Sequence, residues 1–366
     1  MAYVRLSLCY SALHWFDYNK SLDRLGKSKE AIDKAFKLDS DLPQAHLALG
    51  FYYYWGFLNY SKALEEVKIA QKDLRNNSEC YYAIANIYRR KGEWSLAKEN
   101  FLKAFNLDPA SSLIIFSLAE TYSLLCDYTE AENYFKKAIL KDPTLIEAVW
   151  QKSFMYIKRD GNTLKARETL KEAFQFKECK SNPILSEFDV LMDLYDGDYQ
   201  KALANLSSKD YDVIKYHLYF NLKTSLYARI YDLLEMPKKA KAYYDSSRIA
   251  IESRNLIDSD DPRLYSALGL AYAGLGMKEK AIAEGKKAIE LMPVDKEAYR
   301  GAARLEDMAR IYVKVREFDA ALKIIDQLLK IPSRVSVKLL LLDPDWKPLW
   351  NLPEFKRIIS KDYSLY

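Results

Sequence analysis

The chain has 366 residues, of which 49% are hydrophobic and 29% charged, with only 11 glycines and 11 prolines. That balance belongs to a folded, helix-prone protein and excludes a chain disordered over most of its length. The net charge of +5 is mild and its acidic residues are interspersed almost everywhere, which excludes the concentrated basic patch of a typical nucleic-acid reader. No stretch approaches the ~20 apolar residues of a membrane span. Residues 1–13 carry a lone Arg5 and a short apolar run, too little basic charge and too short a core for a secretory signal. The four cysteines, Cys9, Cys80, Cys126 and Cys179, are far apart and show no CxxC spacing. They fit small packing residues in a reducing, cytoplasmic compartment.

Taken in chain order, the predicted elements are copies of one helical pattern. Tyr3, Leu6, Ser7 and Tyr10 open the first copy, and Ser11–Lys27 is expected to be an unusually long connection carrying Trp15, Phe16 and Tyr18. The second copy is rich in aromatics (Phe51, Tyr52, Tyr53, Tyr54, Trp55). The third is the clearest: Tyr81, Ile84, Ala85, Tyr88, Gly92, Ala97, Phe101, Ala104 and Pro109. The fourth follows 34 residues later as Ile115, Leu118, Ala119, Tyr122, Cys126, Ala131, Phe135, Ala138 and Pro143. Only Gly92 against Cys126 falls out of step. A further copy lies downstream at Tyr265, Leu268, Gly269, Tyr272, Gly276, Ala281, Gly285, Ala288 and Pro293.

A period in this range marks a stack of helix pairs, in which each pair packs only on its neighbours. The spacing predicts helix A, a tight turn, then helix B. Small residues in both helices (Ala85 or Gly269; Ala97 and Ala104) stand where the axes come closest, and larger side chains there would overpack the contact. Glycines at 92, 161, 197 and 276 fall five residues before the helix B small residue, as suits the left-handed end of a helix. Pro109, Pro143 and Pro293 close helix B.

With the first small residue of helix B as marker, Ser28, Ala63, Ala97, Ala131, Ala166, Ala202, Ala240, Ala281 and Ala321 define nine repeats. Their separations are 35, 34, 34, 35, 36, 38, 41 and 40 residues. The last three imply longer helices or loops. One such helix B is expected over Lys238–Arg254, followed by the loop Asp258-Ser259-Asp260-Asp261-Pro262. The sixth repeat is weakest, and residues 178–215 form an irregular joint with a short helix B and a loop at 207–212. The array is thus expected over 1–334, with a capping segment at 335–366. There Val335, Val337 and Leu339–Leu342 give a short helix, Pro344 and Pro348 give two turns, and Pro353 opens a last helix carrying Phe355, Ile358 and Ile359.

This pattern resembles the tetratricopeptide repeat family, with eight or nine positions agreeing per clear unit. The resemblance implies an all-α, right-handed superhelical solenoid that binds a protein or peptide in a concave groove lined by the A helices. The closing segment and the run from Ala45 to Asn106 resemble the arrays at the carboxyl end of bacterial multidomain regulators, which carry an adenylate cyclase or winged-helix domain upstream. That likeness implies a sensory or regulatory part of a larger protein.

Carried onto the third, fourth and fifth repeats, the family's groove positions fall on Glu79, Tyr82, Asn86, Arg89 and Arg90, then Phe116 and Glu120, then Gln151, Lys158 and Arg159. Two basic spots, Arg89-Arg90 and Lys158-Arg159, would flank an apolar and weakly acidic middle and suit a peptide with acidic groups. Replacing all four with glutamate is then expected to weaken such a partner without unfolding the chain. The cochaperone subtype, which grips a carboxyl-terminal Glu-Glu-Val-Asp tail, is matched only at Asn86: Tyr82 stands where a lysine is needed, and Phe116 and Ser117 where an asparagine is.

Catalysis finds no foothold in the sequence. His14, His46 and His217 are isolated, and no GxxxxGK[ST], GxGxxG or GxSxG motif is present, so neither cofactor, metal nor enzyme activity is expected. The 29 tyrosines suggest a stacking platform for single strands, and a nucleic-acid-binding helical repeat is the alternative reading. Against it, Tyr88, Tyr122, Tyr231, Tyr272 and Tyr312 share the repeat position that faces a neighbouring helix. Because no polar capping helix precedes Tyr3, the amino-terminal end is expected to be covered by an upstream domain or a second copy.

Overall fold

The computed structural model describes residues 1–16, 22–255, 260–361 and 363. Nine helix pairs follow one another among them. The first four are α1 (Ala2–Phe16) with α2 (Leu22–Leu38), α3 (Pro43–Phe51) with α4 (Tyr60–Asp73), α5 (Ser78–Arg90) with α6 (Trp94–Leu107), and α7 (Ser112–Leu124) with α8 (Tyr128–Lys141). Then come α9 (Ile146–Asp160) with α10 (Leu164–Ala173), the single turn α11 (Lys177–Lys180), and α12 (Pro183–Tyr195) with α13 (Tyr199–Ser207). The hairpin β1 (Val213–Lys215) and β2 (Phe220–Leu222) leads into α14 (Lys223–Leu233) with α15 (Pro237–Asn255), α16 (Pro262–Leu275) with α17 (Lys278–Leu291), and α18 (Ala298–Lys314) with α19 (Phe318–Leu328). The chain closes with α20 (Val337–Leu342), a 3₁₀ turn over Pro344–Leu349, and α21 (Pro353–Ile359). It divides into two compact units, Met1–Thr121 and Tyr122–Tyr366.

One backbone feature sets the phase of every pair but the first. Five residues before each marker, φ is positive: 51° at Leu58, 78° at Gly92, 62° at Cys126, 68° at Gly161, 78° at Gly197, 57° at Glu235, 80° at Gly276 and 64° at Arg316. The left-handed residue closes helix A, and helix B begins two residues later, or three after Gly161. Asn59, Asp127 and Asp198 cap that start, their side chains accepting from the amides of Lys62, Glu130 and Lys201, which satisfies one of the donors a helix start leaves open. Cys126 thus adopts the conformation of the glycine it replaces.

The markers from Ala63 to Ala321 are all fully or almost fully buried, as is Ser28. In the first pair the small contact is polar: the Ser28 hydroxyl lies 2.8 Å from the hydroxyls of both Ser7 and Ser11. In the eighth pair Gly269 approaches so closely that an added Cβ would lie 2.7 Å from Ile311 Cδ1 and 3.1 Å from the Ala281 carbonyl oxygen. Gly285 stands where Phe101 and Phe135 stand in the sister repeats, and Met308 and Ile311 fill the space those aromatics would take.

Several expectations change. The long connection Ser11–Lys27 is mostly helix, because α1 continues to Phe16 and α2 begins at Leu22. Tyr18 and the Phe16 side chain lie outside the described residues. Trp15 packs inward, stacked on Tyr54 with ring centroids 5.5 Å apart. The second repeat's helix A does not end regularly but widens into a π-helical turn at Tyr52–Gly56. The irregular joint holds more than a loop, since residues 213–222 form an antiparallel hairpin pairing Val213 with Leu222 and Lys215 with Phe220. The long helix B appears as α15, and Asp261 of the following loop caps α16 by accepting from the Arg263 amide; Asp258 and Ser259 lie outside the described residues. Met1 and, on α1, Tyr3, Leu6 and Leu13 remain exposed.

Candidate binding site

In the first unit, Arg89 and Arg90 point into the fold rather than into water. Arg89 is 4% exposed and donates to Glu120 at 2.7 Å and to the Asn86 side-chain oxygen at 2.9 Å. Its guanidinium also lies over the Phe101 ring, 5.2 Å from the centroid. Arg90 donates through Nε to the Tyr54 hydroxyl at 3.0 Å and lies over Trp15. Asn86 in turn donates to the Tyr82 carbonyl oxygen one turn back. Phe116 and Glu120 are buried, Tyr82 is partly buried, and Glu79 is exposed near Arg5 at 3.4 Å.

In the second unit, Lys158 is 2% exposed. Its ammonium donates to the Ser333 carbonyl oxygen at 2.7 Å and to that of Ser123 at 3.4 Å. Burial lowers its pKa from the ordinary lysine value. Arg159 is partly buried and pairs with Glu132 and Asp160, each at 2.6 Å. Gln151 is buried and donates to the Tyr299 hydroxyl at 3.4 Å.

These pairings correct the expected result of the fourfold charge reversal. Glutamate at 89 would face Glu120, and glutamate at 158 would face carbonyl oxygens, all without water. Leaving such a charge unpaired costs about 3–5 kcal/mol per broken buried pair. The replacement should therefore unfold the chain rather than spare it.

The residue Lys158 holds stands just before the closing segment, which does not simply cap the last repeat. Trp346, Leu349, Phe355 and Ile358 do pack on α18 and α19. The stretch before them returns to the fifth repeat, where the Ser336 hydroxyl donates to the Lys158 carbonyl oxygen at 2.8 Å and Lys338 packs beside Gly161. It then meets two arginines from the A helices of the seventh and ninth repeats. Arg229 donates to Asp343 at 2.6 Å and Asp345 at 3.0 Å; Arg310 reaches Asp343 at 2.8 Å and Asp345 at 3.0 Å. Asp343 is fully buried. Burial alone would raise the Asp345 pKa, but Arg229 and Arg310 hold it below the ordinary aspartate value. The arginine pair escaped the sequence reading because the groove positions were carried only onto repeats three to five.

Histidines and cysteines form no centre here. His46 lies 2.7 Å from Glu66, and the cysteines are free. Among the described residues no group of three or more His, Cys, Asp or Glu side chains could hold a metal ion, and no helix is long and apolar enough to cross a membrane. The shared tyrosine position is used for packing. Tyr122 stacks on Tyr134 at 5.6 Å, Tyr231 on Tyr243 at 5.4 Å, and Tyr272 donates to Glu252 at 2.6 Å.

Three segments, residues 78–111, 114–144 and 262–295, match the profile of the Tetratricopeptide repeat family. A TPR repeat-containing protein of Methanocaldococcus jannaschii is 23% identical over 339 residues, covering 88% of this chain and 49% of its own length. Tetratricopeptide repeat protein 37 of Xenopus laevis is 24% identical over 90 residues, 25% of this chain and 6% of that protein. The chain thus spans half or less of these relatives. Among solved structures, a tetratricopeptide repeat protein from Parabacteroides merdae is 17% identical with a TM-score of 0.47, covering 73% of this chain and 97% of that one.

Proposed function

From the premise that the chain carries tetratricopeptide repeats, a fold consistent with protein interaction, we propose that it is a non-catalytic, cytoplasmic scaffold that binds an acidic peptide or protein segment through its A helices. The observation that carries this reading is the grip of Arg229 and Arg310 on Asp343 and Asp345. The second unit already holds a proline-containing acidic stretch through two guanidiniums and a lysine that binds main chain. Each guanidinium bridges the two carboxylates through different nitrogens, and the forked donors of arginine suit carboxylates in particular.

Within this reading the ten groove residues divide their work. Asn86, Arg89, Arg90, Phe116, Glu120, Gln151 and Lys158 are buried and brace the wall, while partly buried Tyr82 and Arg159 are the contact points and exposed Glu79 selects against an acidic group beside it. The likeness of the closing segment to regulator arrays supports a place in a larger signalling protein. The exposed Tyr3, Leu6 and Leu13 support coverage of α1 by an upstream domain or a second copy, which light scattering of the chain and of its full-length form would test.

The test of binding uses the whole chain against three sets of extended peptides, acidic, neutral and basic, and against single-stranded oligonucleotides over a range of salt. Acidic peptides should bind about tenfold or more tightly than their charge-inverted counterparts. Tight oligonucleotide binding that falls steeply with salt, without peptide binding, would instead support the nucleic-acid alternative.

A further inference from the structure

The second unit carries a half-open cavity of about 830 Å³, within the range that holds small molecules. Its wall is built from the A helices of repeats five to nine together with the closing segment. Most of it is aromatic or aliphatic, with Trp150, Phe154 and Phe188 on one side. Glu187 and Arg334 on this wall have no ion pair among the described residues, nor do Lys241 and Arg316, whereas Arg229, Asp232, Glu306, Asp307, Arg310, Lys314 and Asp345 are paired.

The first is Glu187 on α12. It is 4% exposed, and among the described residues its only side-chain hydrogen bond is from the Asn221 side chain to Oε1 at 2.9 Å. No cation of the described residues lies within ion-pair distance of it. The second is Arg334, just before α20. Its guanidinium lies over Phe154, 4.4 Å from the ring centroid, and over Trp150 at 5.2 Å. Its buried Nε has no hydrogen-bond partner. Arg229 and Arg334 act on Glu187, and Arg334 on Glu306, only from beyond contact, so a buried carboxylate and a guanidinium are each left without a charge in contact, which is costly. Their nearest common remedy is a molecule in the cavity that brings the opposite charge to each.

We propose that this cavity is a binding site for a small zwitterion with an apolar or aromatic body, of the size of an amino acid or dipeptide. Its ammonium pairs with Glu187 and its carboxylate with Arg334. Its side chain packs against Phe188 and the Trp150–Phe154 face. The site shares its cavity with the acidic-segment grip, whose Arg229, Arg310 and Asp345 also line it, but neither Glu187 nor Arg334 holds Asp343 or Asp345. Burial holds the Glu187 pKa up at about 7, so a bound ammonium would draw its proton off and binding should strengthen from pH 6 to pH 8.

The test is calorimetry and thermal shift on the full chain at pH 8, with L-phenylalanine and the dipeptide Phe-Phe as probes, each beside its N-acetyl and carboxyl-amide forms. A free zwitterion should bind and raise Tm, and blocking either end should weaken it by about tenfold or more, as for any site whose buried polar group is left unpaired. Glu187→Gln should abolish the preference for the free amine but keep that for the free carboxylate. Arg334→Met should do the reverse, with Arg334→Lys as the partial rescue if the methionine variant folds poorly. Absence of binding by both free probes, or equal binding of the blocked forms, would overturn the proposal. Failure here leaves the peptide arm of the previous test untouched, so the two readings fail separately.

Discussion

Arg229 and Asp343, 114 residues apart in sequence, meet at 2.6 Å with the aspartate fully buried. Asp343 also receives Arg310 and, through Oδ1, caps the following turn by accepting from the Asp345 amide at 3.1 Å. One carboxylate therefore ties α14, α18 and the closing segment together. Removing it by Asp343→Ala leaves Arg229 with Asp345 alone and Arg310 with Asp345 and Glu306, a change expected to cost about 3–5 kcal/mol. Lys347→Ala, which removes only an exposed bond to the Tyr199 hydroxyl, should stay within about 0.5 kcal/mol. Urea midpoints for the two variants would decide, and equal midpoints would contradict a charge-held segment.

The left-handed positions make a second prediction. Cys126, Glu235 and Arg316 adopt φ of 62°, 57° and 64°, a region that costs a side-chain-bearing residue about 1–2 kcal/mol and glycine almost nothing. Changing any of them to glycine should raise stability, by up to about 1 kcal/mol after the extra freedom of the unfolded glycine is deducted. Gly276→Ala should lower it by a similar amount, and through the backbone alone, since nothing lies within 4 Å of the added Cβ. A loss of thermal stability on Glu235→Gly would show that the side chain matters more than its φ.

Gly285 tests whether the repeat pattern or the local packing governs a site. The sister repeats place Phe101 and Phe135 there, both fully buried, so a consensus argument favours Gly285→Phe. An added Cβ would already collide with Met308 Sδ and lie 2.9 Å from Ile311 Cδ1. The substitution should therefore destabilise, by about 1–3 kcal/mol or more. Trimming the intruding neighbour with Met308→Ala should recover part of that loss, and no recovery in the double variant would argue against this geometry.

Glu187 gives the chain a specific pH response. Burial raises its pKa from the ordinary 4.5 to about 7, only partly offset by Asn221, Arg229 and Arg334. Between those values the folded state keeps a proton that the unfolded state has released. Its contribution is thus fully present below the unfolded value and is lost as pH rises through about 7. Glu187→Gln should remove this dependence and be the more stable protein at pH 8, with the gap narrowing toward pH 5. Parallel Tm-against-pH curves for the two proteins would refute it.

Most of the scaffold was legible from local spacing. A small residue, a left-handed residue five positions earlier and a polar cap between them act within one turn, so their sequence pattern carries across separations from 34 to 41 residues. The same logic found Cys126 out of step by residue type while its backbone keeps step. What the pattern missed, such as the hairpin at 213–222 and the π-turn at Tyr52–Gly56, lies where a repeat lengthens or an aromatic run competes with regular α geometry.

The candidate site divides differently. The sequence by itself determined the helix pairs, their phase and the apolar character of the closing helices, because each follows from residues a few positions apart. Only the tertiary structure decided that Arg89 is consumed by Glu120, that Lys158 holds Ser333, and that Arg229 and Arg310 find Asp343 and Asp345. It alone left Glu187 and Arg334 without ionic partners on one cavity wall. A charge's partner depends on how successive helix pairs turn and stack, a rotation that accumulates over a hundred residues or more. Local periodicity leaves that sum unspecified, and the low dielectric of the interior then makes each resulting pairing, or lack of one, count.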